Sequence, residues 1–79
     1  MPSMRDLVTQ TGLPDNTPIL RVLSGLTWHV LNPLADAEIG TLGALAQRTD
    51  DDLLALPGFG PRRLDALRAE LRRIAPGKD

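Results

Sequence analysis

Pro57-Gly58-Phe59-Gly60-Pro61, followed at once by Arg62 and Arg63, is the segment best suited to chemistry, and that chemistry is the binding of a phosphate oxygen. Gly58 and Gly60 can both adopt positive φ and have no side chain to block close approach, so backbone amides become accessible around them. Pro61 has the fixed φ of a first helical residue. It therefore sets the free N–H groups of a helix's first turn, and the positive end of the helix dipole, beside the turn. Arg62 and Arg63 add two full charges there. Phe59, the one phenylalanine, is expected to enter the core and pin the turn rather than stack on a base. With Leu53, Leu54 and Leu56 before the turn and Leu64, Leu67 and Leu71 after it, residues 53–71 read as a helix-hairpin-helix built to meet a nucleic-acid backbone.

The other chemically capable residues read as structural. Asp50, Asp51 and Asp52 follow Thr49, and consecutive carboxylates diverge around a helix instead of converging on a cation. They are expected to sit at a capped helix N-terminus, where free amides and the dipole favour negative charge, and not to hold a metal. His29 is the one histidine and the sequence has no Cys, so neither a ligand set nor a nucleophile with an adjacent base is expected. Trp28, the one tryptophan, is expected to fill the gap between the N-terminal helices and the rest. No catalytic residue, metal or cofactor is expected, and the protein is expected not to be an enzyme.

Several helices must position these groups. Ser3 with Asp6 three residues on resembles a capping pair, opening a short helix that stops at Gly12. Leu13-Pro14-Asp15-Asn16-Thr17-Pro18 is the densest turn-forming run. Thr17 can cap a helix that begins at Pro18 and carries Ile19, Val22, Leu23, Leu26 and Val30 on one face. Pro33 predicts a break near Asn32, with Asn32 capping a new short helix that runs to about Glu38. Thr41 opens a further helix to about residue 48. After the hairpin, Leu64, Leu67, Leu71 and Ile74 form the inward stripe of the last helix, with Arg62, Arg63, Arg68, Arg72 and Arg73 around the remainder.

The composition allows one small domain. At 79 residues, with 42% hydrophobic and 24% charged side chains and very few aromatics, the protein is expected to be all-α, a compact bundle of about four to five short helices. Residues 1–17 read as an N-terminal helix and turn extension, 18–75 as the helical domain and 76–79 as a flexible tail. A cytoplasmic location is expected, with no membrane partner, because no apolar run approaches bilayer length. The net charge of −1 hides an uneven distribution: residues 1–56 carry three basic and seven acidic side chains, and residues 57–79 carry six basic and three acidic. An anionic partner is therefore expected at the C-terminal half.

The run from Leu34 to Leu71, with Glu-Ile-Gly-Thr-Leu-Gly-Ala-Leu-Ala-Gln-Arg-Thr, then Asp-Asp-Asp-Leu-Leu, then the hairpin and its arginines, resembles the C-terminal domain of the bacterial RNA polymerase alpha subunit. The likeness covers about half the sequence and extends back to Leu20. It implies a SAM-like bundle of four short helices preceded by an irregular helical segment, acting in transcription or its regulation. Such domains contact the minor groove and backbone of A·T-rich promoter DNA through the start of their first helix and the hairpin. Carried over by position, the DNA-binding residues are His29, Asn32, Gly58, Gly60, Arg62 and Arg63. The sequence departs from the family where its principal groove-entering arginine stands as His29 and its hairpin asparagine as Gly58. Three uses stay open: DNA binding; protein docking on RNA polymerase, a sigma factor or a regulator; and homodimer formation through residues 3–31.

Overall fold

The computed structural model describes residues 3–75, and the tail expected over 76–79 lies outside them. Six helices follow in order: α1 (Met4–Gln10), α2 (Ile19–Val22), α3 (Trp28–Asp36), α4 (Leu42–Ala46), α5 (Asp50–Leu54) and α6 (Pro61–Ile74). The all-α expectation holds. Among the described residues no helix is long and apolar enough to cross a membrane. The longest helix, α6, is the hub, with α1, α3 and α5 packed on it and α1 also packed on α4. Its buried Leu64, Leu67 and Leu71 meet Met4, Leu7 and Val8 of α1, Leu34 of α3 and Leu53 of α5 in one apolar cluster. The residues expected to form an N-terminal extension thus supply part of the shared core.

Capping decides where several of these helices start. In α1 the amide of Asp6 donates to Ser3 Oγ at 3.1 Å while that of Ser3 donates to Asp6 Oδ2 at 3.2 Å, a reciprocal box. Thr49 and Asp52 repeat it at α5, at 3.0 and 3.1 Å. The start of α4 is closed partly from outside the helix. Leu42 N–H donates to Thr17 O at 3.0 Å and Gly43 N–H to Asp15 O at 2.8 Å, while Ala44 N–H donates to Thr41 Oγ1 at 3.2 Å. A Cβ on Gly43 would lie 2.8 Å from that of Asp15, so glycine is needed for this close approach. The turn-rich segment 13–18 is therefore a backbone cap for α4, and an isolated antiparallel bridge between Pro18 and Thr41 completes the join.

The structure departs from the sequence expectations between residues 18 and 38. One helix from Pro18 to a break near Asn32 is predicted, but α2 ends at Val22 and α3 begins after Thr27. Leu23 and Leu26 keep helical spacing yet pack from a loop, where Leu23 is fully buried. Asn32 is consequently no helix cap, and Pro33 lies inside α3. A proline there forfeits the bond to the carbonyl one turn earlier, and burial of Val30, Leu31 and Leu34 around it holds the helix together. The helix closes with Glu38 at φ 64°. Ile39 N–H donates to Leu34 O at 2.9 Å and Glu38 N–H to Ala35 O at 3.0 Å, the bonding pattern of a Schellman cap without its usual glycine.

Two side chains are also placed differently from expectation. Trp28 does not fill a gap in the bundle: it is 64% exposed at the first position of α3. Arg68 does not join the solvated face of α6 but is buried at 3% exposure. Its Nη1 lies 3.1 Å from both carboxylate oxygens of Asp50, tying α6 to the start of α5. The acidic run after Thr49 thus serves as both helix cap and counter-ion.

Candidate nucleic-acid interface

The hairpin begins with a tight turn. Phe59 N–H donates to Leu56 O at 3.1 Å, with Pro57 second in the turn and Gly58 third at φ 77°, the residue pattern of a type II turn. The need for glycine at 58 is conformational, since a Cβ there would touch nothing. Phe59 is buried, as expected, and anchors the turn in the core. Arg63 folds back over it, its Nη1 donating to Gly58 O at 2.6 Å. Gly60 departs from expectation: at φ −103° and ψ 179° it is ordinary extended backbone and the N-cap of α6. Neither strain nor crowding requires glycine there, because a Cβ would again meet nothing within 4 Å.

What Gly60 does is leave the start of α6 bare. The first turn of any helix has N–H groups without intrahelical partners. A side-chain oxygen caps these in α1, α4 and α5, but none does so in α2, where the Ile19 N–H donates instead to Gly40 O at 3.0 Å, or in α6 and α3, whose N-cap Thr27 does not use its hydroxyl. The two bare ends converge. Thr27, His29 and Val30 from α3 and Gly60, Arg62 and Arg63 from α6 line one open groove of about 700 Å³. The starts of α3 and α6 and the side chains of Arg62 and Arg63 therefore border the same, mainly apolar space, with the Arg63 guanidinium turned back onto Gly58 O, and two positive helix ends beside it favour anions.

Of the six residues carried over by position, four share this groove: His29, Gly60, Arg62 and Arg63. Asn32 is exposed on α3 and Gly58 is exposed at the turn, but neither lines it. Thr27 and Ala66 line the groove without having been singled out by sequence. Thr27 had a legible signal, a β-branched hydroxyl residue just before a helical run.

A buried carboxylate fixes the loop that leads into α3. Glu70, on α6, is held below the ordinary carboxylate range by its hydrogen bond to Arg73, which outweighs the opposing effect of burial. The Arg73 charge and the Gly25 backbone N–H lower it further. The pair closes through Arg73 Nη2 to Glu70 Oε2 at 2.5 Å. A Cβ on Gly25 would fall 2.6 Å from Glu70 Oε2, so glycine lets this loop lie against the carboxylate. Thr27, Trp28 and His29 follow directly in the chain.

A small all-helical module with a helix-hairpin-helix at its C-terminal end, and an open groove bordered by two arginines where two helix N-termini meet, is the class that these features define. Residues 24–73 match the family of the C-terminal domain of the bacterial RNA polymerase alpha subunit, and the protein belongs to that family. Over 46 residues it is 44% identical to the DNA-directed RNA polymerase subunit alpha of Pseudothermotoga lettingae. That stretch is 58% of the present sequence but only 14% of the relative. No solved structure matches it.

Proposed function

We propose that this protein is a non-catalytic DNA-binding module of the transcription apparatus, gripping the DNA backbone and minor groove edge through the start of α3 and the hairpin. The observation that carries the reading is the pairing of two uncapped helix N-termini around one groove that also holds Arg62 and Arg63. Phosphate oxygens accept hydrogen bonds from such free amides, and the arginines supply charge. His29 offers a shorter reach than the family's arginine, so phosphate contacts dominate over groove insertion. Asn32 and Gly58, exposed on α3 and at the turn, are the further contacts that this reading assigns to the duplex.

The test is a titration of labelled A·T-rich duplex by fluorescence anisotropy over a range of salt. Affinity is expected to fall steeply with salt, with a log–log slope of about −2 to −4 for a few phosphate contacts. Arg62→Ala is expected to make the slope shallower by about one. Binding that ignores salt, or no binding at low salt, contradicts the reading. Exposure of the large apolar side chains Leu20 and Leu54 favours a second reading, docking on RNA polymerase, a sigma factor or a regulator. Capture of polymerase subunits that survives nuclease treatment, together with absent DNA binding, is the result that supports it.

A further inference from the structure

Trp28 is the one large aromatic on the surface: the sequence has one Trp, one Phe and no Tyr, and Phe59 is buried. At 64% exposure it leaves its indole in water, although burying such a ring is among the larger apolar gains available to a small domain. Its position is specific. It is the first residue of α3, and its two neighbours, Thr27 and His29, both line the groove that gathers Arg62 and Arg63. An exposed indole therefore adjoins in sequence two residues of the groove without itself lining it, and an aromatic next to arginines is the pairing that single-stranded nucleic-acid sites combine: charge that follows the backbone and a ring on which a base stacks.

We infer that Trp28 stacks on an unpaired nucleobase, so that the module prefers DNA with an exposed base, as in a single strand or an opened duplex, over intact duplex. The inference rests on the proposed DNA binding and adds the form of DNA recognised. The faces of bases are covered by their neighbours in an intact duplex, and reaching one requires unstacking. The phosphate contacts of Arg62, Arg63 and the helix ends are available on either form. Preference then comes from the indole alone, and stacking of one base is worth about tenfold in affinity.

The protein holds its own reporter, since Trp28 is its one tryptophan and tyrosine is absent. The experiment titrates a short labelled oligothymidylate, and separately an intact dA·dT duplex of equal length, following label anisotropy and tryptophan emission together. The expected result is about tenfold tighter binding of the single strand, with Trp28 emission quenched by it. Trp28→Ala is expected to lose that preference, bringing single-strand affinity down to that for duplex, and Trp28→Phe to retain most of it. Folding of each variant is checked by far-ultraviolet circular dichroism. Binding of both DNAs with equal affinity, or with unchanged emission, overturns this inference and leaves the proposed function standing. Absence of binding to either overturns both. An emission change caused by purified RNA polymerase but not by oligonucleotide overturns the inference in favour of a protein contact.

Discussion

Gly60→Asp is expected to make the protein more stable and to weaken DNA binding on the order of a hundredfold. The stabilisation follows from the conformation already present: Gly60 has the extended backbone of an N-cap, like Ser3, Thr41 and Thr49, and a Cβ there meets nothing. An aspartate can accept a first-turn N–H, its charge suits the helix N-terminus, and loss of glycine restricts the unfolded state. Together these are worth about 1 kcal/mol. The same carboxylate would occupy the amides and sit beside Arg62 and Arg63, repelling phosphate and satisfying the groups that bind it. Opposite signs make the experiment decisive, because a variant that is merely damaged loses both properties. Chemical denaturation and duplex anisotropy measure them. Undiminished binding by a stabilised variant removes the α6 N-terminus from the interface.

The second large effect is on stability. Asp50→Ala is expected to lower the unfolding free energy by about 2–3 kcal/mol, because it strips the carboxylate from a buried guanidinium and a negative charge from the start of α5. Thermal denaturation should show a fall of roughly 10–20 °C for a domain of this size. The converse substitution is milder. With Arg68→Met the stem's packing is retained, and Asp50, whose side chain is 40% exposed, can be hydrated, so a loss of about 1 kcal/mol or less is expected. Equal losses for the two would show that the pair does not carry this asymmetry.

Local signals were legible in the sequence where the chemistry itself is local. Ser3 with Asp6, Thr41, and Thr49 with the acidic run after it marked helix starts that the structure reproduces, as did Pro61 and the stripe of Leu64, Leu67 and Leu71. The family resemblance carried by residues 34–71 is likewise supported by the match over 24–73. The segment 18–38 misled because Ile19, Val22, Leu23, Leu26 and Val30 have helical spacing whether or not a loop intervenes. In that loop Gly25 lies against the Glu70 carboxylate from another helix, a tertiary contact that periodicity does not report. Arg68 had a partial signal: it stands four residues after Leu64 and three before Leu71, on the inward side of α6. Trp28 had none, since only tertiary packing decides whether an indole at the first turn of a helix points into the bundle or out of it.

The groove was half legible for the same reason. Gly60, Arg62 and Arg63 could be read as one unit because they are adjacent in sequence. That the start of α3 also arrives there uncapped, bringing His29 beside them, depends on the fold. Gly58 and Gly60 looked equivalent in sequence, yet one serves a positive-φ turn and the other a bare helix end.

Backbone amide chemical shifts during titration with DNA test most directly whether the two bare helix ends form the binding surface. The largest changes are expected at Thr27, Trp28, His29 and Val30 and at Gly60, Arg62 and Arg63, with the capped starts of α1, α4 and α5 unmoved. Changes concentrated in α1, α2 or the α4–α5 junction, with residues 27–30 and 60–63 silent, would contradict it.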